Sequence, residues 1–143
     1  LHPINFYNFV NKEAERFKGK LIVKLDKTDL YIQADDFALQ TILRNISENA
    51  IRHSGQSPVS LQYDFKQTNK EIMIQVTDNG NQFTGDINKL GHLFYKHNSP
   101  KGSGIGLYLI KMLMNQMKGD ALFTNDEFFK IQLTFPLGTQ ESI

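Results

Sequence analysis

The chain contains no cysteine. Disulfides, thiolate catalysis and cysteine-type zinc sites are therefore excluded, and the absence favours a reducing compartment. No apolar run approaches the length of a membrane span, and the N-terminus carries no signal-peptide pattern. Neither sign of charge dominates. Sixteen Lys and Arg stand against 15 Asp and Glu, for a net charge of +1. No global field argues for nucleic acid or an anionic membrane. No basic stripe, H-E-x-x-H or G-x-S-x-G occurs, which leaves nucleic-acid binding, zinc chemistry and triad hydrolysis without support. Repeats and low-complexity tracts are missing too. What remains is a chain of 143 residues with 40% apolar content, enough for one soluble domain with a real core. It begins at Leu1 rather than Met, and we expect a piece excised from a longer protein.

Periodicity divides the chain into ten segments. Asn5 to Lys18 has Phe6, Phe9, Val10 and Phe17 at helical spacing, with Gly19 as a stop. Leu21 to Leu25 and Leu30 to Gln33 read as strands separated by a polar turn. Asp35 or Asp36 can cap a helix running to about His53. On it Leu39, Ile42, Leu43, Ile46 and Ala50 make an apolar stripe that must face a sheet. Ser54 to Pro58 breaks that helix. Val59 to Gln67 and Glu71 to Thr77 alternate as strands, the second turning Ile72, Ile74 and Val76 to one side. Asp78 to Lys101 is long and irregular, with one helical turn near Leu90 to Phe94. Connections of that length are usually functional, often lids. A helix then runs to Gly119, with Ile105, Leu109, Met112, Leu113 and Gln116 on one face. Asp120 to Thr124 and Phe128 to Phe135 close the chain as a hairpin across Asn125 and Asp126. Strands and helices are segregated, so the expected fold class is α+β: a two-layer sandwich with helices on one face of a mostly antiparallel sheet.

Three groups of residues carry chemistry. The first is Gly102-Ser103-Gly104-Ile105-Gly106-Leu107, after a Pro-containing loop and at the mouth of a helix. Glycines there let the backbone approach a ligand, and the free N–H groups and positive dipole end suit phosphate. The third glycine comes one residue too early for the dinucleotide pattern, and no Gly-Lys-Ser/Thr follows as in a P-loop. Read alone, the glycines serve a flexible loop and close helix packing equally well. The second group is Asn45, Asn49 and Arg52, which fall at i, i+4 and i+7 in one polar row beside the apolar stripe. Asparagine is a weak helix former, yet its amide oxygen is a sound Mg²⁺ ligand when phosphates complete the shell. Arg52 and His53 can reach phosphates. The plainer alternative is a solvated row, with His53 an ordinary helix-end residue. The third is Asp78-Asn79-Gly80 at a strand end. Its carboxylate can accept a bond from an exocyclic amine, as of adenine, and the glycine leaves room for a base. Asp-Asn-Gly is also a common turn.

In this order and at these separations, the three groups resemble the ATP-binding catalytic domain of bacterial sensor histidine kinases. That domain shares the Bergerat-type fold of the gyrase, heat-shock chaperone, histidine kinase and mismatch-repair ATPases. The family's asparagine box is matched by Asn45-Ile46-Ser47-Glu48-Asn49-Ala50-Ile51-Arg52-His53. Asp78-Asn79-Gly80-Asn81-Gln82 stands for its first glycine box, and Gly102 to Leu107 matches its last. Ile131 to Pro136 looks like the family's closing strand. The resemblance runs from about Leu21 to the end of the chain. It implies ATP and Mg²⁺ as cofactors, with Asn49 on the metal and Asn45 supporting phosphates or metal as the second catalytic asparagine. Arg52 and His53 would contact phosphate or ribose. Asp78 would bond the adenine amine beside Gly80. Lys101, Gly102, Ser103, Gly104, Ile105, Gly106 and Leu107 would wrap the phosphates.

Position 45 favours a kinase over a hydrolase. In hydrolytic relatives a glutamate four residues before the metal-binding asparagine activates water, and Asn45 cannot act as a base. Glu48 lies about 100° around the helix from Asn49 and points elsewhere. An incoming histidine brings its own nucleophilic nitrogen. Two departures stand out. Gln82 replaces the second glycine of the first box, and Leu90-Gly91-His92-Leu93-Phe94-Tyr95-Lys96 is an eroded phenylalanine box before a short lid. They fit a second reading, a degenerate nucleotide-sensing or docking module. None of His2, His53, His92 and His97 has a phosphoacceptor context. The resemblance therefore implies a separate phosphoacceptor helical hairpin and a downstream response regulator as partners. Residues 1–18 would be a connector from that hairpin and 19–143 the ATP-binding domain. It would be cytoplasmic, without direct membrane contact, and monomeric in isolation.

Overall fold

A computed structural model describes residues 1–53, 57–79, 105–125 and 127–137, with Ile105 described by its backbone alone. The glycine run before Ile105, Gly80, Gln82, Lys101, the Leu90 to Phe94 turn and Asp126 lie outside the described residues. The elements are β1 (His2–Asn5), α1 (Phe6–Ala14), a 3₁₀ turn (Glu15–Phe17), β2 (Leu21–Lys24), β3 (Tyr31–Ala34), α2 (Asp36–His53), β4 (Val59–Gln67), β5 (Glu71–Asp78), α3 (Ile105–Gln116), β6 (Asp120–Asn125) and β7 (Phe129–Pro136). Five strands form one sheet in the order β2-β4-β5-β7-β6, and β1 pairs with β3 in a separate ribbon. All pairs are antiparallel except β2 with β4. The expected α+β sandwich is present.

Strand alternation builds the inner face of the sheet. Val59, Leu61 and Tyr63 on β4, Ile72, Ile74 and Val76 on β5, and Ile131, Leu133 and Phe135 on β7 are all buried. Against them α2 lays down the foreseen stripe, with Leu39, Ile42, Leu43, Ile46 and Ala50 at most 2% exposed. Apolar burial of this kind contributes about 25 cal/mol per Å² and dominates the stability of such a layer. Asp35 is the cap of α2: its Oδ2 accepts from the Ala38 N–H at 2.9 Å, satisfying one of the orphan donors of the first turn. Asp36 instead meets His2 Nε2 at 3.1 Å on the surface.

Two expectations about the elements are corrected, both at the first helix. His2–Asn5 is a strand, because β3 offers it a partner; helix α1 starts only at Phe6, capped by the Asn5 side chain, which accepts from the Asn8 N–H at 3.0 Å. That helix stops at Ala14 and tightens into a 3₁₀ turn. The strands on either side of residues 26–29 belong to different sheets, since β2 finds a better-covered place beside β4. Ile4, Phe6 and Val10 thereby join the same core as the sheet. On α3 Ile110 and Met114 are buried, as is Met117 just past its end, while Leu109, Met112 and Leu113 are half-buried and Gln116 exposed. Both sets recur at helical spacing, and only the packing partner decides between them.

The end of α3 also differs in its mechanics. Lys118, not Gly119, takes the left-handed conformation, with φ 63°. Gly119 N–H donates to Met114 O at 2.8 Å and Lys118 N–H to Asn115 O at 2.9 Å, the paired bonds of a Schellman motif. Glycine is required one residue later for another reason. A Cβ on Gly119 would sit 2.3 Å from the Thr134 carbonyl oxygen on β7.

Candidate functional site

The alternation that buries Ile72, Ile74 and Val76 also aims Asp78 inward, since it is next in the same row. Asp78 is only 9% exposed. It pairs in register with Leu61 on one side and Phe129 on the other. The neighbouring Asn79 fixes the strand end twice. Its Oδ1 accepts from the Ser60 N–H at 2.9 Å, and its own N–H donates to Ser60 O at 3.1 Å. The side chain thus continues the ladder where the backbone leaves it, and Asp78 is held rather than frayed.

Above that strand end runs the polar row of α2. Asn49 is half-buried and shares a cleft with Asp78. The rest of the lining is apolar: Ile46 and Ala50 from α2, Leu61 from β4, Val76 from β5, and Phe129 and Ile131 from β7. The cleft encloses about 190 Å³, counting space open to solvent. An apolar slot with a few placed polar groups is the usual form of a small-molecule site. Here a carboxylate lies in the sheet and an amide in the helix. The carboxylate can accept from an amine donor, and the amide oxygen suits a hard cation held mainly by a ligand's own oxygens.

Asn45 sits one turn before Asn49. Its Nδ2 donates to Thr41 O at 2.8 Å. Its Oδ1 lies 2.9 Å from the point where a Cβ on Gly106 would stand. The first turn of α3 thereby lies beside Asn45 on α2, with Leu107 packed partly against the core. Arg52 and His53 are exposed in the last turn of α2 and do not line the described cleft. Glu48 is exposed. The structure therefore brings Asn49 and Asp78 together in one cleft, and Asn45 close to Gly106 one helical turn away. Gly80, Lys101, Gly102, Ser103 and Gly104 lie outside the described residues. Sequence reasoning missed the Ser60–Asn79 clamp and the β7 wall of Phe129 and Ile131. Alternation along β7 carried a signal for the wall; nothing local marked the clamp.

No group of three or more His, Cys, Asp or Glu able to hold a metal ion occurs among the described residues. Among the described residues the cleft offers a cation an amide and a single carboxylate rather than a carboxylate cage. No helix among the described residues is long and apolar enough to cross a membrane.

Comparison with known proteins bears on the family and the fold. Residues 34–139 match the family described as histidine kinase-, DNA gyrase B- and HSP90-like ATPases. The sensor histidine kinase WalK of Bacillus subtilis is 26% identical over 151 aligned positions, covering 96% of this chain. The sensor protein RprX of Bacteroides fragilis is 26% identical over 115. The chain spans about a quarter of the length of these relatives, 25% and 22%. Among solved structures, the mycobacterial sensor histidine kinase MprB superposes with a TM-score of 0.81 at 17% identity, covering 94% of this chain and 97% of that one. The catalytic domain of histidine kinase ThkA gives 0.77 at 17% identity, with 94% and 95% covered. At these identities the superpositions establish a shared fold. With its match over residues 34–139, the chain belongs to the family of histidine kinase-, DNA gyrase B- and HSP90-like ATPases.

Proposed function

We propose that this domain is the ATP-binding catalytic part of a sensor histidine kinase, passing the γ-phosphoryl group of ATP to a histidine on a separate helical hairpin. The observation that carries the reading is the convergence of Asn49 and Asp78 on one apolar cleft. In this reading Asp78 accepts a hydrogen bond from the adenine amine, and Leu61, Val76 and Phe129 cover the ring. Asn49 holds Mg²⁺ through its amide oxygen. When bound, the metal neutralises charge on the phosphates and orients them. Asn45 supports the same phosphates through the helix start beside it. Arg52 and His53 reach phosphate or ribose from the end of α2, and Gly80 leaves room for the base. Lys101, Gly102, Ser103, Gly104, Ile105, Gly106 and Leu107 wrap the phosphates.

Transfer rather than hydrolysis fits the described part of the α2 row, which holds no base beside Asn49. Water needs a base in hydrogen-bond reach. Position 45 holds an amide, and Glu48 is exposed. Phosphoryl transfer asks the protein mainly for positioning and charge stabilisation, which asparagines, backbone N–H groups and a metal provide. The nucleophile then comes from the partner hairpin, and a response regulator receives the group afterwards. The domain works in the cytoplasm.

Calorimetric titration with a non-hydrolysable ATP analogue, with and without Mg²⁺, tests this. Binding in the micromolar to sub-millimolar range that requires Mg²⁺ is expected, followed by phosphotransfer to a supplied phosphoacceptor hairpin. No binding up to millimolar analogue would refute the kinase reading and leave the docking-module alternative that Gln82 favours.

A further inference from the structure

We propose that Asn79 is a site of covalent modification: its side-chain amide is attacked by the backbone nitrogen of Gly80 and lost as ammonia, leaving aspartate or isoaspartate at the strand end beside Asp78. The reaction needs no enzyme, and water is its only co-reactant.

Three features point to this chemistry. The first is the neighbour in the chain. Asn79 is the one asparagine of this sequence followed by glycine. A residue without Cβ hinders its own nitrogen least and turns most readily toward the preceding side chain. The second is exposure. Asn79 lies just past β5 and is exposed, whereas Asp78 before it is buried. Its Nδ2 donates no bond among the described residues, so the leaving amine is not held. The third is the clamp. The Ser60 N–H donates to Asn79 Oδ1 at 2.9 Å, and the Asn79 N–H donates to Ser60 O at 3.1 Å. As a nitrogen adds to Cγ, negative charge gathers on Oδ1, the atom that already accepts from this backbone donor. A donor fixed where charge develops lowers the barrier. The bond that holds the strand end thereby also activates the amide.

The steps balance without oxidant or reductant. The Gly80 N–H gives its proton to water or hydroxide, the N–Cγ bond forms, and the Cγ–Nδ2 bond breaks as ammonia leaves with a proton. The product is a five-membered succinimide, a ring size that proximity favours. Water then opens it. Breaking the new N–Cγ bond gives aspartate in an ordinary backbone. Breaking the bond from that nitrogen to the main-chain carbonyl carbon of position 79 gives isoaspartate, whose backbone runs through Cβ and Cγ. Both products add a negative charge next to Asp78, and isoaspartate lengthens the chain between Asp78 and Gly80. The consequence for binding rests on the nucleotide reading above, in which Gly80 leaves room for the base: ageing of Asn79 weakens ATP binding.

The experiment ages the purified chain in H₂¹⁸O at mildly alkaline pH, folded and unfolded in guanidinium, and maps it by mass spectrometry with enzymatic labelling of isoaspartate. Asn79 should convert first among the asparagines, to isoaspartate and aspartate that both carry ¹⁸O. It should react about tenfold faster in the folded chain than in the unfolded one, the effect of one placed donor. A folded chain that reacts no faster than the unfolded one would overturn the proposal, since the clamp then does not activate the amide. Aspartate without isoaspartate would overturn it too, because direct hydrolysis by water bypasses Gly80. Titration of a non-hydrolysable ATP analogue with Mg²⁺ against fresh and aged protein reads the consequence. Binding about tenfold weaker in the isoaspartate fraction is expected, and equal affinity would overturn the effect on the cleft. If fresh protein binds no nucleotide, the functional reading fails by itself, while the mass spectra still decide the modification.

Discussion

Asp78→Asn tests the base-recognition half of the site with the least disturbance to the fold. The two side chains are nearly the same size, and the Ser60–Asn79 clamp beside position 78 uses other atoms. Asp78 is 9% exposed and faces a cleft whose other walls, Asn49 apart, are apolar. A hydrogen bond to a charged group in such surroundings contributes about 1.5–3 kcal/mol, against roughly half that between neutral partners. Rotating the new amide so that its oxygen faces the adenine amine keeps a neutral bond. The net loss for ATP is then about 1 kcal/mol, or roughly fivefold in Kd. Guanine behaves oppositely. It carries a carbonyl where adenine carries the amine, so the carboxylate repels it, whereas the amide can turn its NH₂ group toward it. Binding of GTP should improve by a similar factor, and the ATP to GTP preference should fall by about an order of magnitude. Competition of the two nucleotides against a fluorescent ATP analogue measures that ratio directly. An unchanged ratio would refute the assignment, even if both affinities fell.

Other substitutions probe the frame around the cleft. Asn79→Ala leaves the buried Ser60 N–H without its 2.9 Å acceptor and should destabilise by about 1–3 kcal/mol in urea unfolding, with weaker nucleotide binding because the Asp78 end of β5 is no longer clamped. Gly119→Ala places a Cβ 2.3 Å from the Thr134 carbonyl and 3.0 Å from Met114 Cε; backbone must move, and a loss of about 2 kcal/mol, near 6 °C in Tm, is expected by calorimetry. Burial pushes the Tyr63 phenol up from its ordinary 10.0, so the folded state holds that proton more tightly than the unfolded one. Stability is then intact below about pH 10 and declines as pH rises further; Tyr63→Phe should flatten that alkaline decline in denaturation curves. Asn49→Ala should remove Mg²⁺-dependent nucleotide binding while the Tm holds or rises, and retained Mg²⁺ dependence would exclude Asn49 as the metal ligand.

What the sequence made legible was whatever depends on one element at a time. The α2 stripe is a period within one helix, and all five of its residues are buried. Asp78 could be placed by parity alone, two residues beyond Val76. What stayed hidden depends on pairs of distant segments. His2–Asn5 becomes a strand only because Tyr31–Ala34 lies beside it, and β2 joins β4 in parallel across 34 intervening residues. Which face of α3 is buried stayed open for the same reason: Leu109-Met112-Leu113 and Ile110-Met114 are equally helical, and packing selects the second. Gly106 and Gly119 carry meaning that no local pattern shows. One is empty for the Asn45 amide and the other for the Thr134 carbonyl.

Helix α2 separates the residues that inform about function from those that do not. Arg52 and His53 sit in its last turn, where cations are favoured by the helix dipole whatever the protein does. Asp36 occupies the first turn for the complementary reason. These positions would look the same on a helix with no ligand. The asparagines would not. A half-buried Asn in a helix interior gives up about 0.6 kcal/mol of propensity relative to Ala, and its amide must find partners or lose more. Asn45 finds one in Thr41 O. Asn49 faces the cleft instead, and no bond within the fold accounts for its side chain among the described contacts. On the proposed function, a residue that weakens its own helix and lines the cleft serves what enters it. This is why Asn49→Ala is expected to leave the protein at least as stable while binding is lost, the reverse of what a structural asparagine would do.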